Sequence, residues 1–257
     1  MDVAMIAGVV VAMVAIFVSM ILEGGSPLAI FLIPPILLVI VGTFGACMGG
    51  GTIPSMMTAF KWLAYAFTAK PPNHEEIVEP LVKMAEKARR EGLLSLESEM
   101  DDVADPFMQR GLQMAVDGTD PDDLYDILMA EVRAKKASAA IGAGFWTDAG
   151  GYAPTIGIVG TVLGLIHVLE NLDDPSSLGA LIAAAFVATL WGVMSANVMF
   201  LPWGKRIKYL AAQEAAKMEL IIDGVLAIQA GSNPRVVATK LRSKMTPTGP
   251  NEVREAA

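Results

Sequence analysis

Two long apolar segments, 152–169 and 178–201, contain no acidic or strongly basic side chain. Their apolar runs are interrupted by small, amide or hydroxylic residues: Pro154, Thr155, Gly157, Gly160, Thr161 and Gly164 in the first, and Thr189, Gly192, Ser195 and Asn197 in the second. Ionisable groups inside a membrane usually mark a proton or ion relay. The two segments therefore have the character of one half of an ion pathway, whose ionisable group must come from another chain.

Helical spacing places small and hydroxylic residues on one face of each segment: Pro154, Gly157 and Thr161 in the first, and Ala185, Thr189, Gly192 and Ala196 in the second. Close packing of membrane helices is sufficient to explain such a pattern, because small residues permit close approach and threonine can bond to its own helix. In the functional alternative, Pro154 frees a backbone carbonyl, and Thr161 and Thr189 supply hydroxyl oxygens. Together these oxygens suit a hard cation.

The composition predicts a membrane protein, since 54% of the 257 residues are hydrophobic. Four stretches are long enough to cross a bilayer, which takes about 20 apolar residues: 3–22, 28–48, 152–169 and 178–201. The second stretch contains Pro34 and Pro35, so its helix has an irregular start or begins after them. Asp2 stands where a signal peptide would carry basic residues, which indicates a mature first helix.

The basic residues predict the orientation in the membrane. All 19 Lys and Arg residues fall in 52–151 or 202–257, and the short loops 23–27 and 170–175 contain none. The positive-inside rule therefore places both short loops outside and both termini in the cytoplasm. The predicted location is the cytoplasmic (inner) membrane.

Between the second and third stretches, the apolar residues recur at helical spacing and no β-type alternation occurs. The predicted fold is an all-α integral membrane protein with four transmembrane helices, a helical cytoplasmic domain between spans 2 and 3, and a C-terminal cytoplasmic helix. The predicted divisions are a hairpin over 1–51, the cytoplasmic domain over 52–151, a second hairpin over 152–202, a helix over 203–242 and a disordered tail over 243–257.

Several functional classes are excluded. The net charge of −8 argues against nucleic-acid binding, and the single Cys47 allows no intramolecular disulfide. The sequence contains no Walker loop, metal cluster or nucleophile-and-base pattern, so we expect neither an enzyme nor a bound cofactor. A dense run of mixed charge from Glu86 to Glu97 is either a solvated helix face or a docking surface for a partner of complementary charge.

The chain resembles a known family, the MotA/PomA stator subunits of the bacterial flagellar motor, within the MotA/TolQ/ExbB superfamily. The resemblance covers nearly the whole chain and is carried, in order, by 88–94 (ARREGLL), 107–111 (FMQRG) with Asp117 and Gly118, 152–157 (YAPTIG), 160–165 (GTVLGL), 223–228 (DGVLAI) and 231–235 (GSNPR). Residues 135–145 depart from it, being less acidic than the family pattern.

The resemblance implies a subunit of an ion channel. Family members form a ring, of five copies, around two copies of a single-span MotB/PomB-type partner. That partner supplies the membrane aspartate and anchors to peptidoglycan. Ion flow is thought to rotate the ring, whose cytoplasmic domain pushes on the rotor protein FliG.

The resemblance also implies roles for particular residues. Pro154 matches the third-span proline beside the ion-bearing aspartate, and Pro202 matches the proline at the cytoplasmic end of the fourth span, which couples conformations. The charged positions of the rotor contact are Arg89, Arg90 and Glu97, with Glu86 and Arg235 as secondary positions.

Thr161 and Thr189 match hydroxyl positions of sodium-driven members, where Na⁺ could bind transiently, and Gly157 lies on the same face. Proton-driven members often have Ala at the position of Thr161, so the resemblance favours sodium over protons.

Two other hypotheses remain open. An ExbB/TolQ-type energising channel also pairs a ring of helices with a partner's aspartate, although such proteins typically have three spans and lack the Arg89–Glu97 run. A non-conducting membrane scaffold requires nothing of Pro154 or of the threonines beyond packing.

Overall fold

The computed structural model describes residues 4–245, and all regular secondary structure within that range is helical. Most of the predicted disordered tail, 246–257, lies outside the described residues. Contacts divide the described residues into two compact units, one made of 4–70 with 138–210 and the other of 71–137 with 211–245.

The first unit contains the apolar helices. They are α1 (Ala4–Leu22), α2 (Ile33–Gly49), α3 (Ile53–Thr68), the C-terminal part of α6 (Pro121–Glu170) and α7 (Pro175–Met194), and a short 3₁₀ turn, Pro27–Ile30, precedes α2. By length and composition, three stretches could cross a membrane: Ala4–Leu22, Pro121–Glu170 and Pro175–Gln229. The predicted second span appears as the shorter apolar helix Ile33–Gly49.

The start of α2 differs from one of the two sequence-based alternatives. The helix begins at Ile33 and includes Pro34 and Pro35 in its first turn, rather than beginning after them. Proline is tolerated there because the first backbone N–H groups of a helix have no intrahelical acceptor. The irregular start lies earlier, at residues 31–32, between the 3₁₀ turn and the helix.

Helix α6 is continuous over 50 residues and contains Pro154 in its interior. It begins at Pro121 with Asp122 and Asp123 in its first turn, where acidic side chains favour the positive end of the helix dipole. The boundary expected between 151 and 152 falls inside this helix.

Between α7 and α8 (Leu201–Gln229) the chain forms a π-helical turn, Ser195–Phe200. Pro202 is the second residue of α8, and its missing N–H removes one helical hydrogen bond at the junction. Local π-helical turns occur frequently at functional sites. The junction therefore interrupts regular α-helical bonding where the sequence resemblance places the coupling proline.

The predicted single helix over 203–242 differs from the structure, which contains two helices in this segment. Helix α8 ends at Gln229, and α9 covers Pro234–Ser243. Gly231 lies between them with a φ of +65°, a backbone conformation that favours glycine. The side chain of Asn233 then caps α9 by accepting a hydrogen bond from the Arg235 backbone N–H.

The second unit is built around a buried apolar core. Its elements are α4 (Glu75–Glu91), the 3₁₀ segment Leu93–Asp102, α5 (Pro106–Val116), the N-terminal part of α6, the part of α8 from residue 211 onward, and α9. The contacts between α4 and α9 are among the most extensive in this unit. Val237 and Leu241 are the buried residues on the inner face of α9.

An ion-pair network supports this unit. Lys217 Nζ lies 2.6 Å from Asp105 Oδ2 and 3.3 Å from Glu214 Oε1, and Lys135 Nζ lies 2.9 Å from the same Glu214 oxygen. Asp105 also caps α5 by accepting hydrogen bonds from the backbone N–H groups of Phe107 and Met108.

Burial opposes ionisation in this network, but the partners outweigh it. Burial alone would raise the pKa of Asp105 and of Glu214, whereas the hydrogen bonds and charges of Lys217 and Lys135 hold both pKa values below their usual range. In the same way, Asp105 and Glu214 raise the pKa of Lys217 despite its burial.

Candidate ion pathway

Helices α6 and α7 approach each other closely at two glycines. A Cβ atom added to Gly192 would lie 2.6 Å from the Ala153 carbonyl oxygen and 3.2 Å from Pro154 Cα. One added to Gly157 would lie 2.8 Å from the Ala188 carbonyl oxygen. Because real Cβ atoms do not come this close to backbone atoms, glycine is required at both positions for the observed contact.

The two predicted threonines meet just beyond these glycines. The Thr161 and Thr189 hydroxyls are hydrogen bonded to each other. The Thr161 hydroxyl also lies 3.1 Å from the Ala185 carbonyl oxygen, and both hydroxyls lie 3.3 Å from the Gly157 carbonyl oxygen. Four oxygens of two helices therefore converge at one point, and both threonines are only half-buried.

Each hydroxyl has one proton to donate, so the two threonines cannot satisfy all of these acceptors at once. If Thr189 donates to Thr161, then Thr161 donates to one of the two carbonyls. The reverse arrangement leaves Thr189 to donate to Gly157. The cluster thus always has spare acceptor capacity, which is the property that a hard cation needs in its ligands.

Pro154 lies one turn before Gly157 and is half-buried at the α6–α7 contact. Its ring nitrogen carries no hydrogen, so the carbonyl of Gly150 lacks its helical donor. The sequence-based face of Pro154, Gly157 and Thr161 is therefore realised, and it is directed at Thr189 and Gly192 of the neighbouring helix.

The surroundings of the cluster are uncharged. Segments 152–169 and 178–201 contain no Asp, Glu, Lys or Arg, and His167 is exposed and lies 3.5 Å from Glu170. No group of three or more potential metal-ligating His, Cys, Asp or Glu side chains occurs in the part of the chain that the structure describes. Neutral oxygens alone offer a cation no opposite charge to offset its loss of hydration.

An apolar cleft of about 430 Å³ adjoins the same contact. Small residues form part of its lining, including Gly160, Gly164, Ala185 and Ala188, and Pro34 and Pro35 of α2 lie opposite. The cleft shares residues with the α6–α7 contact but offers no convergent polar groups.

A polar groove of about 560 Å³ lies in the second unit, between α4 and α9. It is lined by Glu86, Arg89 and Arg90 from one helix and by Asn233 and Arg235 from the other. Glu86 and Arg90 form an exposed ion pair of 2.6 Å, which is screened by solvent and contributes little to stability.

Most of the residues predicted for the rotor contact therefore meet in this groove. Glu97 does not line this groove, because it belongs to the 3₁₀ segment Leu93–Asp102 rather than to α4 or α9, and its side chain is exposed there. Pro202 lies at the π-helical junction, away from both clusters in sequence.

Sequence reasoning missed two features of these sites. The carbonyl of Ala185 contributes an oxygen to the threonine cluster, and no sequence signal marks a backbone atom. Asn233 and the N-terminus of α9 border the polar groove, and the Asn233-Pro234 pair was a recognisable helix-start signal.

The chain is similar to two family models and to several known proteins. Residues 99–220 match the family model described as the MotA/TolQ/ExbB proton channel family, and residues 6–92 match the one described as Motility protein A N-terminal. Motility protein A of Bacillus subtilis is 38% identical over 244 residues, which cover 94% of this chain and 90% of the relative. Chemotaxis protein PomA of Vibrio alginolyticus is 34% identical over 243 residues, covering 95% of each.

Two solved structures have the same fold. A chain of C. jejuni MotAB superposes with a TM-score of 0.92 at 32% identity, covering 97% of this chain and 98% of that one. A chain of the flagellar MotAB stator complex from Bacillus subtilis gives a TM-score of 0.89 at 34% identity, with full coverage of both.

Proposed function

The chain belongs to the MotA/TolQ/ExbB proton channel family as a flagellar stator subunit of the MotA/PomA type, and it is a channel subunit rather than an enzyme. From this premise we propose that it forms an ion pathway with a single-span MotB/PomB-type partner and converts ion flow into torque on the rotor protein FliG. The supporting observation is the cluster of Thr161, Thr189 and two backbone carbonyls beside Pro154, which lacks any charge of its own.

The missing charge supports the need for a partner. A cation that crosses hydrocarbon needs a compensating anionic group, because neutral oxygens do not offset the loss of hydration. Neither segment at the α6–α7 contact supplies a carboxylate. An aspartate on a partner helix that approaches Pro154 would complete the pathway, with Gly157, Thr161 and Thr189 providing the neutral ligands.

The proposed arrangement has four spans, from α1, α2, α6 and α7, with both short loops outside and the second unit in the cytoplasm. The absence of Lys and Arg from the short loops supports it. Five copies would surround two copies of the partner. A ring is consistent with the long row of exposed apolar residues on α1, α6 and α7, which a second copy or lipid must cover.

The coupling ion in this proposal is sodium. Hydroxyl and carbonyl oxygens are the ligands of hard cations, and four of them converge at Thr161 and Thr189. A proton needs no such set of oxygens, because a carboxylate alone can carry it. Pro202 would couple ion passage to motion, since it stands at the π-helical junction where α-helical bonding is already interrupted.

The rotor contact in this proposal is the groove between α4 and α9, where Arg89, Arg90 and Arg235 offer positive charge and Glu86 negative charge, together with Glu97 on the neighbouring 3₁₀ segment. All five side chains are exposed. Exposed charges of both signs suit a contact that must form and break repeatedly, because they steer association and are screened by salt.

The test is purification of the tagged chain from its native membrane in mild detergent, with mass spectrometry of the proteins that accompany it and ion uptake by the reconstituted complex. We expect a single-span protein with a membrane aspartate and a wall-binding domain, and uptake that ends when that aspartate becomes asparagine. A small partner without the wall-binding domain would indicate an ExbB/TolQ-type channel instead. The absence of any aspartate-bearing partner would overturn the proposal.

A further inference from the structure

Helix α3 carries apolar side chains on two opposite faces. Ala59 and Leu63 are buried on one face, against the rest of the first unit. On the other face, Ile53, Met57 and Phe60 are 62%, 55% and 45% exposed, and helical spacing aligns them in one strip. A strip of this kind fits an apolar partner rather than water.

The length and charge of α3 suit the surface of a bilayer. The helix has 16 residues, fewer than the about 20 that cross the hydrocarbon core. It begins as a helix of its own, because Thr52 and Ser55 form a capping box at its N-terminus. Lys61 is exposed at the edge of the apolar strip. An apolar face bordered by lysine is typical of a helix that lies in the membrane–water interface.

An aromatic cluster brings α3 close to the start of α8. The indole Nε1 of Trp146 donates a hydrogen bond of 3.1 Å to the Ala59 carbonyl, and the Trp146 ring lies 4.9 Å from that of Trp203. Lys61 follows Ala59 by two positions, and Lys205 follows Trp203 by two positions. The two lysines therefore extend from neighbouring parts of the same cluster.

The lysines of this region have no counter-charge in the protein. Lys61, Lys205 and Lys208 are exposed, and none forms an ion pair with any residue of 4–245. The second unit differs, since its Lys87 and Lys136 pair with acids of the same unit. The first unit thus lacks the anions that the second unit supplies for itself.

A second copy of the chain does not correct this imbalance. Segments 52–70, 138–151 and 202–210 contain five Lys or Arg residues and one acid, Asp148. Two copies that meet through these segments repeat the same excess and repel each other. An anionic membrane surface supplies the missing charge and, in its acyl chains, the apolar environment that the exposed strip of α3 fits.

We propose that α3 lies in the headgroup region of the bilayer, with its exposed strip against the acyl chains, and that nearby lysines bind anionic phospholipids. Lys61, Lys205 and Lys208 donate hydrogen bonds to the headgroup phosphates. This binding goes beyond the proposed function, because it requires a membrane but neither ion flow nor the rotor contact.

The experiment measures lipid binding by the full chain, purified with the partners that accompany it and stripped of lipid in a nonionic detergent. Phosphatidylglycerol and phosphatidylcholine are titrated separately, and bound lipids are counted by native mass spectrometry. We expect the wild type to prefer phosphatidylglycerol. Joint substitution of Lys61→Gln, Lys205→Gln and Lys208→Gln should weaken phosphatidylglycerol binding by about tenfold or more, since each lysine near an anionic surface contributes roughly fivefold.

Two further variants serve as controls. Arginine at the same three positions should preserve the preference, because the charge is kept. Lys83→Gln combined with Arg133→Gln removes exposed charges of the second unit and should leave lipid binding unchanged.

Equal affinity of the wild type for both lipids would overturn the proposal, as would unchanged phosphatidylglycerol binding by the triple glutamine variant. Displacement of the lipid by inorganic phosphate would show a site for free anions and overturn it as well. Fewer copies per complex with unchanged lipid binding would show that the lysines contact another copy instead.

A second measurement tests the position of α3 without those variants. A spin label is attached to Met57→Cys in a Cys47→Ser background, and the protein is reconstituted in vesicles that contain phosphatidylglycerol. We expect dissolved oxygen, which concentrates among acyl chains, to relax the label more than a water-soluble nickel chelate does. A label at Glu97→Cys should show the reverse. Stronger relaxation by the nickel chelate at Met57→Cys would overturn the location of α3.

Discussion

The positions of the Thr161 and Thr189 hydroxyls fit both the packing interpretation and the proposed ion-binding interpretation. Their bonds to the Gly157 and Ala185 carbonyls fasten α6 to α7, as the packing interpretation of the sequence expected. The same bonds bring together four oxygens with spare acceptor capacity, as the ion-binding interpretation requires. The two interpretations are therefore compatible, and only the effect of removing an oxygen on ion dependence separates them.

Thr161→Ala removes one of these oxygens without adding bulk. We expect the sodium concentration for half-maximal ion uptake to rise about tenfold, since one ligand to a cation contributes on the order of 1–2 kcal/mol. Uptake is measured in vesicles at a fixed pH gradient over a range of sodium concentrations. Thr58→Ala is the control, because among the described residues the Thr58 hydroxyl bonds only to the Pro54 carbonyl of its own helix. Uptake that is independent of sodium in the wild type would contradict sodium as the coupling ion.

The ion pairs of Asp105, Glu214 and Lys217 predict how stability depends on pH. Because folding lowers the pKa of both acids, their contribution is present above their unfolded pKa values and is lost as pH falls through the folded ones. Folding raises the pKa of Lys217, so its contribution is lost only as pH rises through that strongly alkaline value.

We therefore expect Asp105→Asn to destabilise the second unit by about 1–3 kcal/mol at neutral pH, and the difference from wild type to shrink below about pH 4. The measurement is thermal unfolding of the full chain in detergent, followed by circular dichroism at several pH values. Asp102→Asn, at an exposed acid, is the control. A difference that stays constant down to strongly acidic pH would show that the charge of Asp105 is not the cause.

At the scale of elements, glycines decide how closely α6 and α7 approach. Gly157 and Gly192 permit backbone contact at the level of Pro154, whereas Gly179, near the start of α7, has open space where its Cβ would be. Helix α9 is the second decisive element, because it forms one wall of the polar groove and α4 forms the other. In both cases the proposed function depends on a contact between two helices rather than on one helix.

Gly192→Val should force α6 and α7 apart, because its Cβ would lie 2.6 Å from the Ala153 carbonyl. Overpacking of this kind costs typically 1–3 kcal/mol. We expect a lower midpoint of thermal unfolding, followed by tryptophan fluorescence, since all four tryptophans lie in the first unit. Gly179→Val is the matched control in the same helix. Equal effects of the two substitutions would contradict the role of the glycine contact.

Charge reversal tests the groove between α4 and α9. Arg90→Glu removes positive charge from the groove, and Glu97→Lys changes the neighbouring 3₁₀ segment. We expect each to impair swimming without reducing the amount of protein in the membrane, because exposed charges contribute little to folding. Arg133→Glu, at an exposed position outside the groove, is the control. Normal swimming by both variants would contradict the proposed rotor contact.

At the scale of the whole molecule, apolar surface and charge are segregated along the chain. Exposed apolar side chains cover α1 and the apolar parts of α6 and α7, which suits lipid and neighbouring copies. All 19 Lys and Arg lie outside the short loops. The multi-pass character follows from the first property, and the proposed orientation follows from the second.

Cysteine labelling tests that orientation. In a Cys47→Ser background, we expect a membrane-impermeant thiol reagent to label Asp173→Cys in intact cells from outside. Glu97→Cys should be labelled only in inverted membranes, since it belongs to the second unit. Both native side chains are exposed, so burial does not limit either reaction. The opposite pattern would contradict the cytoplasmic location of the second unit.

The sequence by itself determined the features that sum over many neighbouring residues. Apolar content over about 20 positions predicts membrane helices, and the distribution of Lys and Arg predicts their orientation. Helical spacing also predicted that Pro154, Gly157 and Thr161 share one face of the helix. Ordered motifs along the whole chain identified the family. The predicted helix over 203–242 includes most of α9, and what was missed is the break around Gly231, because a single glycine and a cap add little to any such sum.

Only the tertiary structure decided which atoms of different helices meet. The register between α6 and α7 selects the Ala185 carbonyl as a neighbour of Thr161, and no local pattern encodes that pairing. Likewise, Arg89 and Arg235 are far apart in sequence but line one groove, because α9 folds back onto α4. The physical reason is that packing between helices depends on the shapes of both surfaces together, which no single segment contains.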